Sequence, residues 1–175
     1  MQKWLALLRG INVGGHNKIA MAELRDLFRE LGFEDVESYI QTGNVAFQAK
    51  GTPNKLAATI SEAIREKWGY EVSTLVISPQ TMEEITAANP YAEAGEANPT
   101  RVFVGFLDQK PAKVELKPVK KDNEHFSVIG RAVYLHCPDG VGRSKLTNAY
   151  FEKGLGVSMT MRNLRVVTTL QEMLN

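Results

Sequence analysis

The sequence has a single cysteine, Cys137, and no apolar run long enough to cross a membrane. One cysteine cannot form an internal disulfide, and no Cys/His cluster has zinc-like spacing, so we predict no metal site. The N-terminal apolar run from Trp4 to Leu8 stops at Arg9, which makes it too short for the core of a signal peptide. These absences predict a cytoplasmic protein that does not bind membranes.

Neither sign of charge is in excess. The 21 Lys and Arg residues are balanced by 20 Asp and Glu residues, which gives a net charge of +1. Such a balance argues against a protein that coats nucleic acid and against a polybasic protein that binds membrane surfaces. The 175 residues, 43% of them hydrophobic and 23% charged, are typical of a globular protein with one ordinary domain or two small ones.

The sequence motifs of several enzyme classes are also missing. The glycines within residues 10–15 do not have the G-x-G-x-x-G spacing that binds a dinucleotide. Gly142 and Ser144 resemble the end of a P-loop, but Cys137 stands where that loop begins with glycine and Arg143 replaces its lysine. No serine lies in the G-x-S-x-G elbow of hydrolases. The sequence therefore predicts neither a dinucleotide-binding site nor a P-loop, and it indicates no other cofactor.

The first half of the chain has the apolar periodicity of a ferredoxin-like fold. A buried strand precedes an amphipathic helix that ends at Gly32, and a second helix starts after Thr52 and ends at Gly69. The predicted strands are residues 4–8, 36–41, 44–48 and 72–77. The order β-α-β-β-α-β over residues 3–77 predicts an antiparallel sheet with both helices on one face.

The second half repeats this pattern less completely, after a connecting helix and a linker at residues 79–100. Its predicted elements are strands 101–107, 125–129 and 132–137, helices 111–116 and 144–153, and a terminal helix whose apolar face includes Met161, Leu164, Val167, Leu170 and Leu174. We therefore predict an α+β protein with two ferredoxin-like lobes, residues 1–78 and 101–175. The second lobe is degenerate and ends in a helix.

The stretch RGINVGGHNKI, residues 9–19, is the first candidate binding site. Residues 1–20 contain three cations, Lys3, Arg9 and Lys18, and no acid. The turn also contains Gly10, Gly14 and Gly15. These glycines allow backbone N–H groups to converge on a phosphate or carboxylate, with Asn12 orienting the ligand. The alternative is a glycine-rich turn that only reverses the chain.

The second candidate site is basic as well. Residues 143–165 contain five cations and one acid, Glu152. Ser144 is predicted to cap a helix whose free N–H groups, together with Arg143 and Lys145, would bind an anion. An ordinary N-cap surrounded by solvated charges explains the same residues. We expect the two basic segments to converge in space if they form one site.

Few residues are candidates for catalysis. The three histidines lie on different predicted elements, which gives no metal-ligand spacing. His136 could act as an acid or base, but the sequence favours a structural, hydrogen-bonded imidazole because no Asp or Glu partner can be specified. Cys137 reads better as a buried strand residue than as a nucleophile. Tyr150 and Phe151 could stack on a base, although aromatic residues at helical spacing more often fill a core.

Two segments resemble a known family. The run LLRGINVGGHNKIAMAELRDLFRELGFEDVESYIQTGNVAF, residues 7–47, and the run YLHCPDGVGRSKLTNAYFEKGLGVSMTMRN, residues 134–163, are similar to the bacterial family called domain of unknown function 1697. The resemblance implies a two-lobed α+β fold, and it implies no activity, cofactor or catalytic residue. The positions that match its motifs are Arg9, Gly10, Asn12, Gly14, Gly15, His136, Gly140, Arg143, Ser144 and Lys145.

These observations lead to three functional hypotheses. The first is a binding module for a phosphate-bearing ligand, a nucleotide or nucleic acid, held at the basic glycine-rich loops between the lobes. The second is an enzyme that acts on a small anionic metabolite with His136 as acid or base. The third is a protein-interaction module that uses an exposed sheet face. The sequence specifies neither an oligomeric state nor a reaction.

Overall fold

The computed structural model describes residues 1–175 and divides the chain into two compact units. The first unit comprises Met1–Met82 and Leu170–Asn175, and the second comprises Glu83–Thr169. Each unit contains a four-stranded antiparallel sheet. None of the helices is both long enough and apolar enough to span a membrane.

The first unit has the predicted ferredoxin-like order. Its elements are β1 (Gln2–Leu8), α1 (Met21–Glu30), β2 (Glu34–Ser38), β3 (Asn44–Ala49), α2 (Pro53–Trp68) and β4 (Thr74–Ile77). The strands lie in the order β2-β3-β1-β4, so β1 and β4, which are the first and last strands of this unit along the chain, are neighbours in the sheet. Thr52 caps α2 by accepting a hydrogen bond from the N–H of Lys55, and Gly69 ends that helix at a φ of 75°.

The core of the first unit lies between the sheet and its two helices. Alternate residues of β1 point toward α1 and α2, because successive side chains of a strand face opposite sides of the sheet. The central members of this core are Trp4, Ala6, Leu8, Leu24, Phe28, Phe47, Ile60 and Ile64. The ring of Phe28 contacts those of Phe33 and Phe47, with centroids 5.7 and 5.3 Å away.

The second unit repeats the strand order of the first. Helix α3 (Pro79–Ala87) begins in the first unit and ends in the second. It is followed by α4 (Ala92–Ala97), β5 (Val102–Leu107), β6 (His125–Ile129), β7 (Ala132–His136), α5 (Asn148–Leu155), β8 (Met159–Asn163) and α6 (Leu164–Leu174), whose last five residues belong to the first unit. The sheet order is β6-β7-β5-β8. Two ferredoxin-like halves, the second incomplete and followed by a helix, therefore confirm the predicted fold class.

Several predicted elements of the second half were wrong. Residues 111–116 are not helical, and Pro118 disfavours helical geometry at Lys117, the residue that would follow such a helix. The stretch that we predicted as a linker contains α4. Strand β8 was not predicted, since it runs into α6 without a Gly or Pro between them. Asn163 instead starts α6 by accepting a hydrogen bond from the N–H of Val166 at 3.0 Å.

The helix predicted from Ser144 to Lys153 begins later and ends later. Helix α5 starts at Asn148, and Thr147 caps it by accepting a hydrogen bond from the N–H of Tyr150 at 3.2 Å. Its left-handed C-terminal residue is Gly156, at a φ of 69°, and not the predicted Gly154. Ser144 therefore does not cap a helix.

Candidate functional site

The glycine-rich turn, residues 9–20, connects β1 to α1. Gly10, Gly14 and Gly15 have φ values of 73°, 58° and 76°. Glycine is favoured at these positions because other L-residues rarely adopt positive φ. The turn is exposed at Gly14 and Gly15, and their N–H groups make no hydrogen bond within the protein. Two adjacent backbone donors are therefore available to a ligand.

Asn12 holds this turn in place with its side chain. Its Nδ2 donates to the carbonyl oxygens of Ile19 and Gln41, at 2.9 and 2.8 Å, and its Oδ1 accepts from the N–H of Ile19 at 2.8 Å. Since both Nδ2 hydrogens are engaged, the amide shapes the turn and fixes it to the β2–β3 hairpin. The predicted role of Asn12 in orienting a ligand stays a prediction.

A cavity of about 380 Å³ lies beside the turn. Its lining residues are Asn12, Gly15, Lys18, Ile19, Ala20 and Gln41. No side chain caps α1 at Ala20, so the free N–H groups of the first helical turn lie next to the cavity. The lining contains one cation, Lys18, and no acid, while Glu23 lies in the first turn of α1. Backbone donors, the positive end of the helix dipole and an ammonium group suit an anion.

Arg9 lies at the start of the turn but does not line this cavity. It is half-buried, and its backbone N–H donates to the carbonyl oxygen of Ser73 at 3.0 Å. Lys18, which is exposed, is the cation that the structure places at the cavity wall.

The basic turn, residues 138–146, follows β7 in the second unit. Gly140 has a φ of 83°, and its N–H donates to the carbonyl oxygen of Cys137 at 2.8 Å. Arg143 and Lys145 are exposed, whereas Ser144 between them is buried. The turn therefore presents its two cations outward and directs its hydroxyl inward.

Ser144 points to a buried carboxylate, Glu124. That carboxylate accepts a hydrogen bond from the N–H of Lys121 at 2.9 Å, and the neighbouring Ser144 hydroxyl and Cys137 thiol also favour its charged form. Burial raises the pKa of Glu124, but the interactions with Lys121, Ser144 and Cys137 outweigh it and hold the pKa below its usual value. The Ser144 Oγ also accepts from the N–H of Leu146 at 3.1 Å. Sequence reasoning missed Glu124 because its partners lie up to 20 residues away.

Cys137 lies in the same cluster, and its thiol is protonated at neutral pH. Burial and the charge of Glu124 raise the pKa of Cys137 to about 11. A thiol with that pKa is a poor nucleophile at neutral pH, because the thiolate is the reactive form. The structure agrees with the interpretation of Cys137 as a buried strand residue.

Replacing Glu124 with alanine tests this cluster. At pH 7 the variant should lose about 2 kcal/mol of unfolding free energy, since hydrogen bonds to a charged group contribute about 1.5–3 kcal/mol. Because the folded-state pKa is lowered, the contribution is complete above the unfolded value near 4.5 and declines as pH falls through the folded value. Urea unfolding at pH 7 and at successively lower pH measures the difference. The exposed Glu93→Ala serves as control, and a pH-independent loss in Glu124→Ala would contradict the assignment.

His136 has aromatic neighbours and no acid partner. Its ring lies 6.5 Å from that of His125 across the β6–β7 pair and 6.3 Å from that of Tyr91, centroid to centroid. The Tyr91 hydroxyl is 2.9 Å from the Oγ of Ser127. The imidazole forms no hydrogen bond with a carboxylate, so the geometry does not supply the partner that acid–base catalysis needs. No group of three or more His, Cys, Asp or Glu side chains could hold a metal ion.

The other cations of the second basic segment lie on separate elements. Lys153 lies on α5, Arg162 on β8 and Arg165 on α6. Burial lowers the pKa of Arg162 to about 10, and its guanidinium donates to the carbonyl oxygen of Met161 at 3.0 Å. Within the second unit, the predicted cations therefore divide between the basic turn and the body of the fold.

Comparison with known proteins agrees with the fold. The model of the family "Protein of unknown function (DUF1697)" matches residues 1–134, which include the whole glycine-rich turn. The chain belongs to this family. The match ends at Tyr134, so the resemblance of residues 134–163 stays a prediction. No curated protein matches the chain.

A solved structure extends the likeness of this DUF1697 member to almost its full length. It is described as the conserved bacterial protein SP0830 from Streptococcus pneumoniae. The two chains are 24% identical, with a TM-score of 0.74, and the match covers 99% of this chain and 98% of the other. At that identity the likeness shows a shared fold.

This DUF1697 protein also has a feature beside the cavity that was not predicted from the sequence. Ile40 has a φ of 49°, a conformation that a β-branched residue rarely adopts, and its side chain is 44% exposed. Its neighbour Gln41 lines the cavity and accepts the hydrogen bond from Asn12. Strained backbone of this kind is often found at functional sites. No sequence signal reveals it, because isoleucine predicts a strand at this position.

Proposed function

We propose that this DUF1697 protein is a binding module for a phosphate-bearing ligand, a nucleotide or a nucleic acid, which it holds at the glycine-rich turn. The observation that carries the proposal is the cavity of about 380 Å³ at the uncapped N-terminus of α1. Lys18 supplies the charge, and the unbonded N–H groups of Gly14 and Gly15 supply backbone donors. A lining without an acid favours a negatively charged ligand.

The basic turn of the second unit contributes the same chemistry in this proposal. Arg143 and Lys145 are exposed, as phosphate-binding side chains must be, and Ser144 is held from within by Glu124. A single ligand that contacts both turns stays a prediction. A double-mutant cycle with Lys18→Gln and Arg143→Gln measures it, because a shared ligand makes the two losses of affinity non-additive.

Lys18→Gln is expected to weaken phosphate binding about tenfold, the equivalent of about 1.4 kcal/mol, because it removes a charge and leaves the cavity in place. Lys50→Gln is the matched control: Lys50 is exposed and follows Ala49, at the far end of β3 from the turn. Titration with inorganic phosphate should shift the amide NMR signals of Gly14 and Gly15. The proposal fails if those signals do not move.

A salt titration separates a polymer from a mononucleotide. Affinity for single-stranded RNA should fall with salt at a log–log slope of about −0.7 for each neutralised phosphate, and Lys18→Gln should reduce the slope by about that amount. Fluorescence anisotropy of a labelled oligonucleotide measures both quantities. A flat titration rejects the nucleic-acid version and leaves the nucleotide version in place.

A further inference from the structure

A second cavity is found in the second unit, and of the residues considered above as ligand-binding groups its lining contains only Tyr150 and Lys153. It has a volume of about 470 Å³, within the range of small-molecule sites. Its lining residues are Lys113, Glu115, Lys117, Val119, Tyr150, Lys153 and Gly154. They come from α5 and from the β5–β6 loop, residues 108–124. We call it the β5–β6 loop cavity.

This cavity exists because a loop replaces a helix. In the first unit, the corresponding connection between β1 and β2 contains α1, whose Leu24, Leu27 and Phe28 are buried in the core. In the second unit, the β5–β6 loop is irregular and places only Leu116 and Val119 against the equivalent core. An extended loop carries fewer inward-facing side chains than an amphipathic helix, so space remains between it and α5.

The loop is nevertheless fixed to α5. The N–H of Glu115 donates to the carbonyl oxygen of Gly154 at 2.9 Å, and the Tyr150 hydroxyl donates to the carbonyl oxygen of Lys117. A Cβ at position 154 would lie 2.9 Å from the Glu115 carbonyl oxygen and would overlap Leu116. Glycine at position 154 therefore allows the close approach, and the cavity has defined walls.

The walls combine cations with an aromatic face. Lys113 lies 3.6 Å from the Glu115 carboxylate, measured Nζ to Oε2, whereas Lys117 and Lys153 form no ion pair. Burial raises the pKa of Tyr150, which keeps its hydroxyl protonated and able to donate to Lys117. That bond and the edge-on contact with Phe151, at 5.1 Å between centroids, fix the orientation of the Tyr150 ring. Val119 adds an apolar surface.

We propose that the β5–β6 loop cavity is a separate binding site for a small aromatic phosphate of the mononucleotide class. The two unpaired ammonium groups of Lys117 and Lys153 bind the phosphate, since Lys acts as a compact point charge for such groups. The Tyr150 ring stacks on the base, an interaction that is tolerant of base identity. The site uses none of the residues of the glycine-rich turn.

The experiment uses adenosine 5′-monophosphate as the probe and isothermal titration calorimetry as the readout. The double variant Lys117→Gln/Lys153→Gln should weaken this binding at least tenfold, because both charges that face the phosphate are lost. Lys110→Gln/Lys120→Gln, a change of equal charge on the same loop but outside the cavity, is the matched control. All four lysines are exposed, so neither pair of substitutions should disturb folding.

Two further arms identify which part of the ligand is recognised. Adenosine and inorganic phosphate, titrated separately, should each bind more weakly than the nucleotide. Tyr150→Leu should lower nucleotide affinity and leave phosphate binding unchanged, while Tyr150→Phe should retain the stacking surface. Equal affinity of the nucleotide for the wild type and the Lys117→Gln/Lys153→Gln variant would overturn the proposal, as would the absence of saturable binding.

The same titrations distinguish this site from the glycine-rich turn. In the Lys18→Gln variant, nucleotide binding at the β5–β6 loop cavity should persist, and the amide signals of Gly154 and Tyr150 should still shift. If Lys18→Gln alone removes all nucleotide binding, the loop cavity is not a site and the proposal for the glycine-rich turn stands. If the nucleotide shifts only the signals near Gly154, the loop cavity is a site and the proposal for the glycine-rich turn fails.

Discussion

Gly43→Ala should lower the unfolding free energy of the first unit by about 2–5 kcal/mol. Gly43 is buried at a φ of 88°, a conformation that costs an L-residue about 1–2 kcal/mol. A Cβ there would lie 2.7 Å from the Cβ of Leu8 and 3.0 Å from the Cδ1 of Ile11. The Leu8 Cβ is fixed by the β1 backbone, so overpacking adds about 1–3 kcal/mol.

Gly32→Ala separates the steric cost from the conformational cost. Gly32 has a φ of 85°, and an added Cβ would meet no atom within 4 Å. This variant should therefore lose only about 1–2 kcal/mol, the conformational part alone. Urea denaturation of both variants, followed by circular dichroism, gives the comparison. Equal losses would show that the contact with Leu8 and Ile11 is relieved at no cost.

Phe28→Ala should cost the first unit about 3–5 kcal/mol, the range for truncating a buried aromatic residue. The side chain is fully buried and packs edge-on against both Phe33 and Phe47, whose rings are themselves stacked at 4.8 Å. Its removal would leave a cavity that the sheet and α1 cannot close without moving.

Phe28→Leu is the companion variant. Leucine retains most of the apolar volume, so the loss should stay below about 1.5 kcal/mol apart from the aromatic contacts, which contribute a further 0.5–1.5 kcal/mol or so. Guanidinium denaturation measures both variants. A loss in Phe28→Leu as large as in Phe28→Ala would mean that ring contacts, and not volume, dominate this core.

The sequence predicted the first unit better than the second for a physical reason. Helix α2 has an N-cap at Thr52 and a left-handed end at Gly69, and both signals act within a few residues. Strand β8 has no such boundary, because α6 begins at Leu164 directly after it. Its strand geometry comes from pairing with β5, a contact between residues more than 50 positions apart. The local sequence pattern does not indicate such long-range pairing.

The candidate sites were likewise predictable only in part. The positive φ values at Gly14 and Gly15 were predictable, since glycine is the residue that adopts them most readily. The direction of Ser144 was not, because the carboxylate that binds it belongs to a distant part of the chain. The left-handed conformation of Ile40 runs against the preference of its residue type, so propensity predicts the opposite.

Glu124 has a mechanical consequence for the second unit. The same carboxylate accepts a hydrogen bond from the N–H of Lys121 in the β5–β6 loop and interacts with the hydroxyl of Ser144 in the basic turn. A proton added to this group weakens both attachments together, so the two loops loosen as one. Glu124 is therefore an anchor that the two loops share, in addition to the hydrogen bonds that fix the β5–β6 loop to α5, so a displacement of one loop changes the surroundings of the other.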